Sequence, residues 1–74
     1  MRLTKAERVG IAVSVFVSQL EPQLAGKRGF LDCDELANLK GAFLSLLKVP
    51  YSFEYGKKRG DSHVWIRVGK LRFG

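Results

Sequence analysis

Four groups of residues in this sequence carry types that could do chemistry. Tyr51, Tyr55, His63 and Lys70 offer the base, acid and charge stabiliser of a metal-independent nuclease. Asp32, Asp34 and Glu35 offer oxygen ligands to a divalent cation. Cys33 is the only cysteine, and a thiol at a helix start has the setting that lowers its pKa. The fourth group is the cations of the last third: Lys57, Lys58, Arg59, Arg67, Lys70 and Arg72. His63 and Trp65 lie among them, and Asp61 is the one acid from Lys57 onward. Such cations pair with phosphates, and an indole beside them can stack an unpaired base.

What these residues can do depends on the elements that hold them. Thr4 and Glu7 have capping-box spacing and predict a first helix from Lys5 to Glu21, with Pro22 at its end. Its main apolar arc is Ala6, Val9, Val13, Phe16, Val17 and Leu20, and Ile11 and Val15 make a second stripe. Gly10, Ser14 and Ser18 form a row of small side chains that another helix could approach. A helix apolar on two sides needs two covers. The alternating β-branched residues from Val9 to Val17 also fit a strand, but the cap and the lack of turn residues favour helix. Lys27 and Arg28 fall in a basic loop between Gly26 and Gly29. Asp32 and Glu35 repeat the capping box and open a second helix, Cys33 to Lys48, before Pro50. Leu36, Leu39, Phe43, Leu46 and Leu47 form its apolar stripe, with Asn38, Gly41 and Ser45 facing the other way.

The last third alternates as a hairpin. Pairing Phe53 with Ile66 sets Tyr55 against Val64 and Tyr51 against Val68, across a turn-rich loop from Gly56 to Ser62. After Gly69 the apolar positions shift by one, and a bulge or bend there would return Leu71 and Phe73 to the core side. One face then carries Tyr51, Phe53, Tyr55, Val64, Ile66, Val68, Leu71 and Phe73. The other carries His63, Trp65, Arg67, Lys70 and Arg72. Two placements are open for Trp65: exposed on that outer face, or core beneath the second stripe of helix 1.

This arrangement argues against catalysis. Tyr51 and Tyr55 point inward while His63 and Lys70 point outward, so the nuclease set is split across the sheet. Acids at a helix start serve as a cap. Cys33 has no histidine beside it in sequence, and Arg59-Gly60-Asp61 would act as an adhesion tripeptide only on a secreted protein. One cysteine and one histidine are too few for a structural zinc. The expectation is a non-enzymatic protein with no metal and no cofactor.

With 74 residues, 46% of them hydrophobic, positions 1–74 make a single domain that must fold on a dense core or a partner chain. The net charge of +6 attracts phosphate polymers or acidic protein surfaces. The apolar run from Val9 to Val17 is too short to span a bilayer and reads as a buried helix of a cytoplasmic protein. In element order the chain resembles a winged-helix protein, but the second helix has no room for a turn and a separate recognition helix.

The reading is an α+β domain of order α-α-β-β, both helices on one face of a C-terminal antiparallel hairpin, with allowance for a short terminal strand. It binds nucleic acid, DNA or RNA, through Lys57, Lys58, Arg59, His63, Trp65, Arg67, Lys70 and Arg72, with Lys27 and Arg28 in support. The alternative is a regulator or inhibitor that docks on an acidic protein surface, or a homodimer, through Gly10, Ile11, Ser14, Val15 and Ser18 of helix 1.

Overall fold

A computed structural model describes residues 2–74. The chain forms α1 (Lys5–Ala25), a 3-10 turn η1 (Gly26–Arg28), α2 (Cys33–Leu46) and three strands, β1 (Ser52–Lys58), β2 (Asp61–Val68) and β3 (Leu71–Phe73). The strands make one antiparallel meander in the order β1-β2-β3. Both helices pack on one face of it, as the α-α-β-β reading expects, and β3 is the short terminal strand.

Both predicted capping boxes close. The Glu7 N–H donates to Thr4 Oγ1 at 3.1 Å and the Thr4 N–H donates to Glu7 Oε1 at 2.8 Å. Asp32 and Glu35 repeat the pattern at the start of α2. Each box satisfies two backbone donors that an open helix start leaves unpaired. α1 runs four residues beyond the predicted end at Glu21, with Pro22 inside it. Proline removes one donor, to the carbonyl of Ser18 four residues back. Ser18 and Pro22 are both exposed, where solvent serves the freed carbonyl. α2 is unbroken at Gly41 and ends two residues before the predicted Lys48. Lys48 takes a positive φ of 58°, and the Val49 N–H returns to the Leu44 carbonyl at 2.9 Å, which closes the helix without glycine.

The sheet has the predicted register, with Phe53 opposite Ile66 and Tyr55 opposite Val64. Its turns are tighter than expected. The loop placed over Gly56–Ser62 is only Arg59-Gly60, because the strands pair out to Lys58 and Asp61. Both turn residues have positive φ, the conformation that matches the twist of a two-residue hairpin. The shift after Gly69 is a reversal rather than a bulge. Gly69 and Lys70 form a second two-residue turn, which sets Leu71 opposite Val68 and Phe73 opposite Ile66.

Val13, Val17, Leu44, Ile66 and Val68 form the buried core, with Phe43, Phe53 and Phe73 packed against it. Gly10 and Gly41 are buried too. A Cβ on Gly10 would meet Val68 and Phe73, and one on Gly41 would meet the Tyr51 ring. Gly10 of the small-residue row of α1 thus admits the sheet, and Gly41 faces Tyr51 rather than solvent. Tyr55 lies on the helix side of the sheet as predicted, yet it is 77% exposed because the helices do not reach it. Phe16, Leu46 and Leu47, expected in the core, are 47%, 79% and 56% exposed on the side of the helices away from the sheet.

One contact joins the two ends of the chain. Glu7 is buried, and its Oε2 accepts the Lys70 N–H at 2.7 Å while Oε1 holds the Thr4 cap. Hydrogen bonds from the Thr4 and Lys70 backbones hold this carboxyl below the ordinary glutamate pKa. A Cβ on Gly69 would fall 2.7 Å from Glu7 Oε2, at a φ of 59° that L-residues rarely adopt. Gly69→Ala is therefore expected to destabilise the fold by about 1–3 kcal/mol in chemical denaturation. The depressed pKa means that the unfolded chain binds the proton more tightly. The Glu7 contribution is thus present above the unfolded value of about 4.3 and is lost as pH falls through the folded one. Glu7→Gln is expected to be less stable than wild type at neutral pH, with a shallower loss of melting temperature on acidification below that value. Parallel curves for the two proteins would contradict this role.

Candidate nucleic-acid interface

The sheet face away from the helices is uncovered. Alternation and register place Glu54, Gly56 and Lys58 of β1, His63, Trp65 and Arg67 of β2, and Arg72 of β3 on it. Trp65 takes the first of its two open placements: it lies on this face, half-buried by its neighbours and not by α1. Its six-membered ring sits over Gly56, where a Cβ would come within 3.1 Å. The Arg72 guanidinium lies 4.3 Å from the ring centroid, and the His63 ring meets the indole edge-on at 4.7 Å. A cation over an indole is attracted by the negative ring face.

The charges of this face are not free. Arg67 makes two hydrogen bonds to Glu54, at 2.7 and 3.2 Å, and Arg72 stands 3.7 Å from the same carboxylate. The bonds from Arg67, reinforced by the fields of both guanidiniums, hold Glu54 below the ordinary carboxylate pKa; the same bonds raise that of Arg67. Glu54 precedes the basic run, so counting charge from Lys57 onward hides it. Only the strand pairing brings it alongside Trp65 and Arg67. The Arg67–Glu54 pair also makes charge reversal at Arg67 a poor probe, because two carboxylates would then face each other across the strands.

The other predicted residues divide by position. Lys57, Lys58 and Arg59 are exposed at the hairpin tip, although Lys57, opposite Ser62, leans to the helix side. The Lys58 ammonium and His63 Nε2 both reach the Gly74 carbonyl oxygen, at 3.0 and 2.8 Å. Lys70, predicted on the outer face, is instead a turn residue at the opposite end of the sheet. Cys33 and His63 line one cavity, so the start of α2, and η1 before it, lie toward the hairpin-tip end. Lys27 and Arg28 therefore share that end, but so do Asp32, Asp34 and Glu35. Arg28 pairs with Glu35 at 2.9 Å.

A second basic region was not visible in the sequence. Lys5 and Lys48 line one groove with Val9 and Leu47, and Glu7 brings Lys70 to the same end of the molecule. Arg2 and Arg8 lie at the same helix start. All five cations are exposed, and among the described residues none has an ion pair. Arg2, Lys5 and Arg8 fall together at the start of the chain, but Lys48 and Lys70 come from distant segments, so only the fold gathers all five.

Of the alternative set, Ile11 and Val15 are 37% and 52% exposed, Ser18 is exposed and Ser14 is half-buried. Gly10 is beneath Val68 and Phe73 and is unavailable to another chain. The nuclease set is scattered: the Tyr51 hydroxyl is 3.0 Å from Ser45 Oγ on the helix side, His63 lies on the outer face, and Lys70 lies not there as expected but in the turn at the far end of the sheet. Among the described residues no three His, Cys, Asp or Glu side chains gather to hold a metal ion, and no helix is long and apolar enough to cross a membrane. Comparison with known proteins finds no match among family models, curated sequences or solved structures.

The stacked guanidinium gives this face a spectroscopic handle. Arg72→Ala is expected to uncover one side of the indole and raise the acrylamide quenching constant of Trp65, the only tryptophan. An unchanged constant in the folded variant would mean that Arg72 does not shield the ring.

Proposed function

We propose that this protein binds single-stranded nucleic acid on the uncovered face of its sheet, without catalysis. The observation that carries the reading is Trp65, on an uncovered sheet face between His63 and Arg72. A flat face with an anchored indole suits unpaired bases, which present both ring faces for stacking; a duplex hides them. A base either stacks on the Arg72 guanidinium or displaces it from the indole. Lys58 and the hairpin-tip residues Lys57 and Arg59 supply phosphate contacts at one end of the face, in a tight turn that fixes their spacing. Glu54 offsets one of the two charges of Arg67 and Arg72 and lowers the pull of the centre, so affinity rests more on stacking and on the tip.

The test is fluorescence anisotropy with labelled single strands and duplexes of DNA and RNA over a range of salt. The expected result is preference for single strands and quenching of Trp65 on binding. Affinity should fall with salt at a slope of about −0.7 per phosphate contacted. The variant Lys57→Gln/Lys58→Gln/Arg59→Gln, which removes the charges without setting a second carboxylate opposite Asp61, should weaken binding and flatten that slope while the protein stays folded. Equal affinity for the folded triple variant, or no binding at low salt, would remove this reading.

The helix side supports a second reading, a regulator that docks on another protein. Phe16, Leu46 and Leu47 are exposed around a groove between α1 and α2, floored by an edge-to-face contact of Phe16 and Phe43 at 5.4 Å. Lys5 and Lys48 stand at one end of the groove. An apolar groove beside unpaired cations fits an acidic amphipathic helix better than a second copy of this basic chain. A light-scattering mass of 8.3 kDa would fit that preference, and twice that mass would favour the homodimer.

A further inference from the structure

Strand β1 is an open edge of the sheet. It pairs with β2 on one side and, among the described residues, with nothing on the other. It runs through seven residues, Ser52–Lys58, in one continuous register without a bulge. The opposite edge, β3, is only three residues long. Both helices pack chiefly over β2, which leaves β1 without a cover. An edge of this kind is a template for a further strand, and folds blunt such edges with charge, proline, bulges or a covering element.

The hairpin fixes which backbone groups face outward. Lys58 and Asp61 close a two-residue turn, so they are a hydrogen-bonded pair, and such pairs alternate along an antiparallel ladder. Ser52, Glu54 and Gly56 therefore turn their N–H and C=O groups to β2, as Lys58 does. Phe53, Tyr55 and Lys57 turn theirs away from it. Among the described residues no backbone hydrogen bond outside the ladder reaches these three.

The side chains along the edge select the kind of strand that fits. Tyr55 stands uncovered on the helix side, where an apolar side chain of an added strand would lie against it. Lys57 and Lys58 end the strand, both exposed, and neither has an ion pair among the described residues. Asp61 is opposite Lys58 without pairing to it, and Glu54, the one acid of β1, is held by Arg67. A second copy of this chain would bring a further net charge of +6 to the contact, whereas an acidic segment gains from the lysines.

We propose that β1 takes up an extended acidic segment of a partner protein as a fourth, antiparallel strand, with acids beside Lys57 and Lys58 and an apolar residue beside Tyr55. Main-chain bonds to Phe53, Tyr55 and Lys57 give affinity, and the side chains give specificity. Antiparallel addition continues the meander and is the slightly stronger pairing. The site shares two lysines with the nucleic-acid surface but does not rest on that reading.

The test uses the intact protein and an acetylated, amidated peptide, Glu-Glu-Thr-Val-Thr-Val-Thr. In this pairing its glutamates lie opposite Lys58 and Lys57 and its valines opposite Tyr55 and Phe53. Binding is read by NMR from amide hydrogen exchange at Phe53, Tyr55 and Lys57. These amides are expected to exchange fast in the free protein and at least about tenfold more slowly with saturating peptide. The same peptide with lysines for glutamates is expected to bind at least about tenfold more weakly. N-methylation of the two valines, whose N–H groups face β1, should abolish binding, and N-methylation of the two inner threonines should spare it. Lys57→Gln/Lys58→Gln should lose the preference for glutamate and keep the amide protection at saturation.

No saturable binding, equal binding of the valine-methylated or the lysine peptide, or shifts at Phe16 and Leu47 without protection of β1 would overturn the proposal. So would protection of the same amides on raising the protein concentration alone, since a second copy would then be the occupant. Nucleic acid has no peptide backbone to pair, so a single strand on the outer face leaves these amides in fast exchange. The two readings are therefore decided by different signals.

Discussion

The Glu7 carboxylate is the constraint on which the arrangement of layers depends. One of its oxygens closes the start of α1, and the other accepts the backbone of a turn 63 residues away. The fold has no disulfide to join its ends, and α1 meets the core through Val13 and Val17. Gly10 lets the helix lie close to Val68 and Phe73, and Glu7 fixes where along the sheet that helix begins. A buried carboxylate is tolerable here because the backbone N–H groups of Thr4 and Lys70 replace the water it loses. Gly69 is part of the same device: its missing side chain leaves the space into which Glu7 fits.

A chain of this size cannot cover every face it makes. Two helices side by side on three strands leave the far face of the sheet and the far side of the helix pair without a cover. These uncovered faces differ in chemistry. The sheet face is polar and aromatic, with Arg67 and Arg72 sharing the one carboxylate of Glu54. The helix face is apolar, with cations at one end. Both functional readings follow from this layer count, one from each face, and they are compatible because the surfaces do not overlap.

Local features of the sequence were legible and long-range ones were not. Both capping boxes and the hairpin register could be read, since each depends on spacing within a few residues or on alternation along a strand. The outer-face position of Trp65 also follows from alternation once the register is fixed. Long-range contacts left no local mark. Glu54 lies outside the basic run whose Arg67 and Arg72 it contacts, and Lys70 belongs to a turn rather than a strand. Phe16, Leu46 and Leu47 share helical stripes with true core residues, and periodicity alone cannot tell the side facing the sheet from the side beyond it. The tight turn at Arg59-Gly60 escaped notice because the surrounding residues are as polar as a loop, although they pair as strands.

Lys48 and Arg59 have a property in common: both are non-glycine residues with positive φ, at 58° and 54°. Glycine would relax the backbone at either place, since an L-residue with a side chain is held there at a cost of about 1 kcal/mol or more. Each is also an exposed cation, one beside the helical groove and the other at the hairpin tip. Substitutions that make the fold most stable and substitutions that keep it most basic therefore diverge at these two positions. A lineage drifting toward stability alone would shed charge there first, so retained lysine or arginine at both positions in related chains would signal that the charge itself is under selection.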